Sequence, residues 1–298
     1  MKTYTIGVDL GGTNIKAGLV DEVHHIVDSV SCKTNLPRPE HEVEAEIAAL
    51  CSQLAQRAGL DMATQIESVG IGTPGSVNPH TGVVEFNANF GYRNWPLVSA
   101  MEKLLPCRVY IENDANAAAY GEYIAGAAQG AKYAIAVTLG TGIGGGIVLN
   151  GQCWLSPTGL APELGHTITH ADGLTCSCGQ CGCYEKYASA TALRRMADGE
   201  EPVELIDRAK RGDADAKGIF ARYVREVCIG IVSLNSIFAP EVVVLGGGIS
   251  GAGNFLLDAC RNALLPLHPT TIPMLRLARF GNTAGIIGAA QAAVLSAV

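Results

Sequence analysis

TIGVDLGGTNIKAGLVD, residues 5–21, places apolar side chains at alternate positions, breaks on a glycine pair and then resumes. Ile6, Val8 and Leu10 alternate up to Gly11-Gly12, so the stretch reads as strand, glycine turn, strand. KYAIAVTLGTGIGGGIVLNG, residues 132–151, repeats the arrangement. Val8 answers to Val137, Leu10 to Leu139 and Gly11 to Gly140, a constant offset of 129 residues. Two glycine hairpins so spaced predict a duplicated architecture with one α/β domain per copy.

The segments between and beyond the hairpins fit that plan. Val43, Ile47, Leu50 and Leu54 share one face of a predicted amphipathic helix. The strand ESVGIGTPG (67–75) follows, and later the helix AAAYGEYIAGAA (117–128). In the second half Phe220, Tyr223, Val224, Val227 and Ile231 form a helical stripe that ends before Pro240. EVVVLGGGIS (241–250) reads as a buried strand ending in three glycines, with a helix from about Asn254 to Leu265 after it. No low-complexity linker divides the halves. The expected domains are 1–117, joined by a C-terminal helix over 284–298, and 118–283.

Composition narrows the class. The chain has 298 residues, 48% hydrophobic and 16% charged, with a net charge of −7. That length is enough for about two domains with their own cores. No basic stripe appears, which argues against duplex nucleic acid as a partner. No apolar run reaches the length of a membrane span. The strand pattern starts within a few residues of Met1, leaving no room for a signal peptide, so the expected location is the cytoplasm.

A cytoplasmic setting makes the cysteines informative, because thiols stay reduced there. Six of the ten (Cys32, Cys51, Cys107, Cys153, Cys228 and Cys260) are scattered singly and read as small apolar side chains. The other four fall within eight positions of TCSCGQCGCYE (175–185), among glycines 179 and 182. Such a loop brings thiolates to one metal ion. With His166 upstream, Cys176, Cys178 and Cys183 make a Cys₃His set suited to a tetrahedral, structural Zn²⁺. Cys181 is the spare thiol, and spacing alone does not fix which three of the four coordinate.

The glycine turns point to phosphate. Gly11-Gly12-Thr13, Gly140 to Gly146 and Gly246 to Gly248 each follow an apolar strand. Loops without side chains let backbone N–H groups reach phosphate oxygens. GTGIGG at 140–145 matches the dinucleotide fingerprint formally, but the IVLNG after it reads as a strand, not a helix. The pattern as a whole favours a nucleotide clamped between domains. In IENDANAAAYGE (111–122), Asp114 stands where a strand gives way to a helix: it could cap the helix or accept a hydroxyl proton. Asp9, beside the first glycine turn, could cap that turn or hold Mg²⁺ between phosphates.

DLGGTNIKAG, IENDANAAA, LGTGIGGG, APELGH, CSCGQCGCYE and VVLGGGIS occur in the order found in the ROK family, and they most resemble its bacterial glucokinase members. The similarity spans essentially the whole chain. It implies a two-domain, actin-like (ribonuclease-H-like) α/β ATPase fold with an interdomain cleft, and a homodimer. It also implies transfer of phosphate from ATP to a hexose, with Mg²⁺ and a structural Zn²⁺. By the same resemblance Asp114 is the catalytic base, and Asn89, Asn113, Glu163, His166 and Glu185 bind the sugar. His166 would serve both zinc and sugar. Asp9, Gly11, Gly12, Thr13 and Lys16 form the first phosphate motif; Gly140, Thr141, Gly142 and Gly144 form the second. Gly246 and Gly247 resemble the adenosine motif. Pro162 stands before Glu163 where many relatives have glycine, which stiffens that loop. Some ROK members are repressors with an N-terminal DNA-reading module. The early first strand leaves no place for one, and intact glycine motifs with Asp114 argue against a non-catalytic sugar sensor. Glucose is the expected hexose, with N-acetylmannosamine, N-acetylglucosamine, allose and fructose as alternatives.

Overall fold

The computed structural model describes residues 4–295. Strands β1 (Tyr4–Leu10), β2 (Asn14–Val20) and β3 (Ile26–Lys33) lead to helix α1 (Glu40–Ala58) and strand β4 (Ile66–Thr73). Short strands β5 (Ser76–Asn78), β6 (Val83–Asn87) and β7 (Tyr92–Trp95) precede α2 (Leu97–Met101), β8 (Arg108–Asn113) and α3 (Asp114–Ile124). Then come β9 (Tyr133–Leu139), β10 (Ile143–Leu149), β11 (Gln152–Cys153), α4 (Glu185–Ala188) and α5 (Ala190–Met196). The chain closes through α6 (Pro202–Lys210), α7 (Ala214–Phe238), β12 (Val242–Gly246), α8 (Asn254–Leu264), β13 (Met274–Leu277), α9 (Ala284–Ala290) and α10 (Ala292–Leu295).

The chain divides into two compact units. One comprises the residues up to Gly126, 152–162 and those from Asn282 onward; the other comprises 127–151 and 163–281. Helix α3 runs through position 117 and lies wholly within the first unit. The expected helix over 284–298 is interrupted at Gln291, and its last three positions, like the first three of the chain, lie outside the described residues.

In the first unit the sheet order is β3-β2-β1-β4-β8, with β1–β2 and β2–β3 antiparallel and β1–β4 and β4–β8 parallel. The opening hairpin closes in the register Leu10 to Ile15, which leaves Gly11 to Thr13 as the turn. Ile6, Val8 and Leu10 are fully buried, and the stripe Val43, Ile47, Leu50 and Leu54 of α1 packs into the same core. The other face is closed by α9, whose sequence AGIIGAA lets backbones meet. A Cβ on Gly7 would fall 1.8 Å from the Ile286 carbonyl oxygen, and one on Gly288 would fall 1.7 Å from that of Ala117. Only glycine fits such an approach.

The second unit repeats the pattern. Its strands run β10-β9-β12-β13, with β9–β10 antiparallel and the β9–β12 and β12–β13 pairs parallel. The long helix α7 buries Phe220, Tyr223, Val224, Val227 and Ile231 and ends on Ala239 in the left-handed region, immediately before Pro240. The six scattered cysteines are free; Cys51, Cys228 and Cys260 are buried and the other three half-buried.

Candidate active site

In the first unit two sheet strands and one turn bring the expected residues together. Asp9 is the last residue but one of β1 and pairs across the hairpin with Lys16, 3.6 Å away. Burial raises the Asp9 pKa, and the Lys16 ammonium partly offsets that. The Gly11–Thr13 turn is tied down by Gly11 N–H to Asn14 O (3.0 Å), by Thr34 N–H to Thr13 O (3.0 Å) and by the Thr34 hydroxyl donating to Gly11 O (2.6 Å). A Cβ on Gly12 would lie 3.6 Å from that of Asn89, so the first glycine turn and Asn89 are neighbours. A Cβ on Gly285, in the first turn of α9, would lie 3.8 Å from Cγ of Asp9.

Asn89 is held by a residue the sequence did not single out. The fully buried Asn87 accepts the N–H groups of Asn89 (3.1 Å) and Phe90 (3.3 Å) on Oδ1. Its Nδ2 donates to the Thr73 hydroxyl at 3.3 Å. Thr73 in turn stands opposite Asn113 in the β4–β8 ladder.

At the junction of β8 and α3 the cap is Asn113, not Asp114. Asn113 Oδ1 accepts from the N–H groups of Ala115 (3.0 Å) and Asn116 (3.2 Å), and its Nδ2 donates to Gly75 O (3.2 Å). Asp114 is the first helical residue, and its Oδ1 accepts from Ala115 N–H at 2.8 Å. Capping is therefore supplied by its neighbour.

In the second unit the glycine turn of β9–β10 is braced from both sides. Gly140 N–H donates to Gly142 O (3.1 Å) and Gly144 N–H to the Thr138 hydroxyl (3.2 Å). The start of α5, capped by Ser189, clamps the turn: Ala190 N–H donates to Gly140 O (2.7 Å) and the Thr191 hydroxyl to Thr141 O (2.7 Å). Gly247, with φ of 80°, packs the third glycine turn against the end of β9; a Cβ there would lie 2.6 Å from the Leu139 carbonyl carbon. Beside it lies a mostly apolar cavity of about 310 Å³, walled by Val203 and Ile206 of α6 and by Gly248 to Ala252, with Lys210 at its edge. Nothing in the sequence pattern marked α6 as part of a site, because its contacts with the glycine turn are long-range.

The thiol cluster assembles as the motif suggested. One ligand atom each from His166, Cys176, Cys178 and Cys183 lies within 4.8 Å of the others. Cys176 Sγ is 3.7 Å from His166 Nδ1, and Cys178 Sγ is 3.6 Å from Cys183 Sγ. A tetrahedral zinc with ordinary Zn–S and Zn–N bonds has edges of about 3.5–3.8 Å, so the donor set fits that ion. Burial first, then the thiols Cys178 and Cys176, push Cys183 up to about 12; a thiolate there calls for a cation's charge. Cys181 is exposed, 3.9 Å from the Thr175 hydroxyl, and outside the cluster.

The acidic and imidazole candidates hang on this knot. His166 ends a single 3-10 turn, Leu164–His166, which packs on β10 so closely that a Cβ on Gly165 would lie 2.2 Å from Ile143 O. Glu163 precedes that turn and is exposed. Glu185 opens α4, with Oε1 3.1 Å from Cys176 Sγ and Oε2 2.7 Å from where a Gly142 Cβ would stand. The metal loop and the second glycine turn thus meet at one carboxyl group.

The ROK family profile matches residues 5–295. A glucokinase of Streptomyces coelicolor is 36% identical over 97% of the chain and 97% of its own length. The crystal structure of a ROK family glucokinase from Streptomyces griseus, in complex with glucose and AMPPNP, superposes with a TM-score of 0.80 at 36% identity, covering 97% of this chain and 98% of that one. A ROK hexokinase from Thermus thermophilus gives 0.84 at 36% identity, covering 99% and 98%. The expected actin-like ATPase fold is the one the chain shares with these structures, and the chain belongs to the ROK family.

Proposed function

We infer that this chain is an ATP-dependent hexose kinase, a glucokinase, which converts glucose and ATP to glucose 6-phosphate and ADP. The observation that carries the reading is the carboxylate of Asp114 at the first position of α3, with capping left to Asn113. A carboxylate so placed can take the proton of the 6-hydroxyl while that oxygen forms its bond to the γ-phosphorus. The bond from the γ-phosphorus to the β–γ bridging oxygen breaks, and ADP leaves with the electron pair. The transition state is loose, so the base chiefly orients its acceptor.

The remaining roles follow the same logic. Asn89, Asn113, Glu163, His166 and Glu185 bind sugar hydroxyls, with Asn113 also capping the base's helix. The glycine turns at 11–13 and 140–144 take the phosphates; Gly246, Gly247 and the adjoining cavity take the adenosine. Mg²⁺, when bound, neutralises phosphate charge, and Asp9 suits it as a half-buried carboxyl whose ionised form a cation stabilises. His166, Cys176, Cys178 and Cys183 would hold a structural zinc with no position left open, and His166 would then offer Nδ1 to the metal and Nε2 to the sugar. We further propose a cytoplasmic homodimer. No described helix is long and apolar enough to cross a membrane.

The test is a coupled assay of ADP release with MgATP against glucose, N-acetylmannosamine, N-acetylglucosamine, allose and fructose. Glucose should give the highest kcat/KM. A different best hexose would correct the substrate, and no release above background with any of them would end the kinase reading.

A further inference from the structure

Glu112, the last residue but one of β8, is 1% exposed, and nothing in the proposed chemistry uses it. Its Oε1 accepts from the N–H of Asn113 at 2.8 Å and from Nδ2 of Asn116 at 3.3 Å. These two residues flank Asp114 on either side. Across the β4–β8 ladder Glu112 stands opposite Gly72, and a Cβ on Gly72 would lie 3.6 Å from Cα of Asp114. The base therefore rests on bare backbone below, and one side chain braces the residues before and after it.

The other half of the carboxyl group is unusual. Glu112 Oε2 and the amide oxygen Oδ1 of Asn116 are both buried without a hydrogen-bond partner. Two orphaned acceptors in one pair of contacting side chains are costly unless a proton is present. A neutral carboxylic acid supplies an O–H where an ionised one leaves only acceptors. Burial pushes Glu112 up to about 7, only partly offset by its bonds to Asn113 and Asn116. A titratable neighbour of Glu112 is the half-buried thiol of Cys153, which burial and then Glu112 push up.

We propose that Glu112 is a positioning residue for Asp114, a buried neutral acid that fixes the first turn of α3 through Asn113 and Asn116. It touches neither sugar nor nucleotide; it acts through the backbone that carries the base. A wrongly set base loses turnover while substrate binding survives, and a misplacement of about 1 Å can cost about 100-fold.

The proposal rests on the kinase reading for its kinetic arm and on exchange for an independent one. Glu112→Ala should lower kcat roughly 10–100-fold with both KM values within about threefold of the unmodified enzyme. Glu112→Gln, neutral at every pH with an oxygen for Asn113 and an N–H₂ for Asn116, should restore kcat to within about threefold. Amide exchange across residues 113–120 should quicken in Glu112→Ala and not in Glu112→Gln. Unchanged kcat with unchanged exchange in Glu112→Ala would overturn the proposal, as would a Gln variant as slow as the Ala one. If Glu112→Ala does not fold, Asn116→Ala is read the same way, expecting lower kcat, unmoved KM and faster exchange. Failure of the unmodified protein to phosphorylate any hexose would end the kinase reading and leave the exchange arm to decide the tether.

Discussion

Oε1 of Glu185 lies 3.1 Å from Sγ of Cys176, so a residue proposed to hold sugar hydroxyls is fixed directly by a residue of the metal knot. The neighbouring Tyr184 is buried and donates its hydroxyl to Val227 O on α7, which anchors the far side of the same loop. Glu185 is thus aimed from two sides, as a site must be if it is to tell epimers apart by pairing or orphaning hydroxyls.

Cys178→Ser tests that link. Cys178 is the exposed ligand, and a serine there leaves three good donors around a zinc that prefers four. Zinc content should fall well below one per chain, and the glucose KM should rise about tenfold as Glu185 and His166 lose their setting. Elemental analysis and steady-state kinetics check both. Full zinc occupancy, or an unmoved KM once zinc is gone, would break the connection.

Asp114 and Asn113 should separate cleanly when each is replaced. Asp114→Asn keeps an oxygen for Ala115 N–H, so the fold should survive while kcat falls roughly 10²–10⁴-fold. Asn113→Ala removes the cap and the bond to Gly75 O, and should cost about 1 kcal/mol or more in denaturant unfolding. The reverse pattern, stability lost at 114 and turnover spared, would mean the two roles had been assigned the wrong way round.

How far these roles could be read beforehand depended on their range in the chain. The hairpins at residues 11–13 and 140–142, the buried face of α1 and the thiol cluster are local patterns, and each appears in the fold where its periodicity or spacing placed it. The helix cap was not legible, because Asn and Asp cap equally well and stand side by side at 113 and 114. The sheet β5-β6-β7 has strands too short and too polar to announce themselves. Gly7 and Gly70 lie inside predicted strands and Gly288 inside the predicted C-terminal helix, yet each sits where a backbone from elsewhere in the chain leaves no room for a Cβ. The clamp from Ala190 and Thr191 onto the 140–141 turn is a contact across about fifty positions that no window could contain.

That packing yields its own prediction. Gly288→Ala puts a methyl group 1.7 Å from the Ala117 carbonyl oxygen and forces α9 away from α3. Neither backbone can give way as a flexible side chain would, so the cost should reach about 3 kcal/mol, the upper end for overpacking. Gly91→Ala, where φ is 74° but no atom lies within 4 Å of the added Cβ, should cost about 1 kcal/mol from backbone strain alone. Chemical denaturation of both variants checks the order. Equal losses would show that the α3–α9 contact is softer than it looks.

Stability should also fall as pH rises from about 4.5 toward 7, and Glu112 supplies the reason. Its carboxyl titrates at about 7 in the folded chain against an ordinary 4.5. Between those values the folded protein holds a proton that the unfolded chain has released, so unfolding becomes easier as pH increases. The contribution is fully present below about 4.5 and is lost as pH passes about 7, a difference of roughly 3 kcal/mol for a shift of that size. Asp213 runs the other way. Its bond from Ala216 N–H and its pairing with Arg208 lower its pKa, so its contribution holds above the ordinary carboxylate range and is lost in acid. Thermal unfolding from pH 4.5 to 9 should therefore show a decline between about pH 4.5 and 7 that levels off at higher pH; Glu112→Gln removes it and Asp213→Asn leaves it in place. A decline that persists unchanged in Glu112→Gln would mean that another group carries the proton.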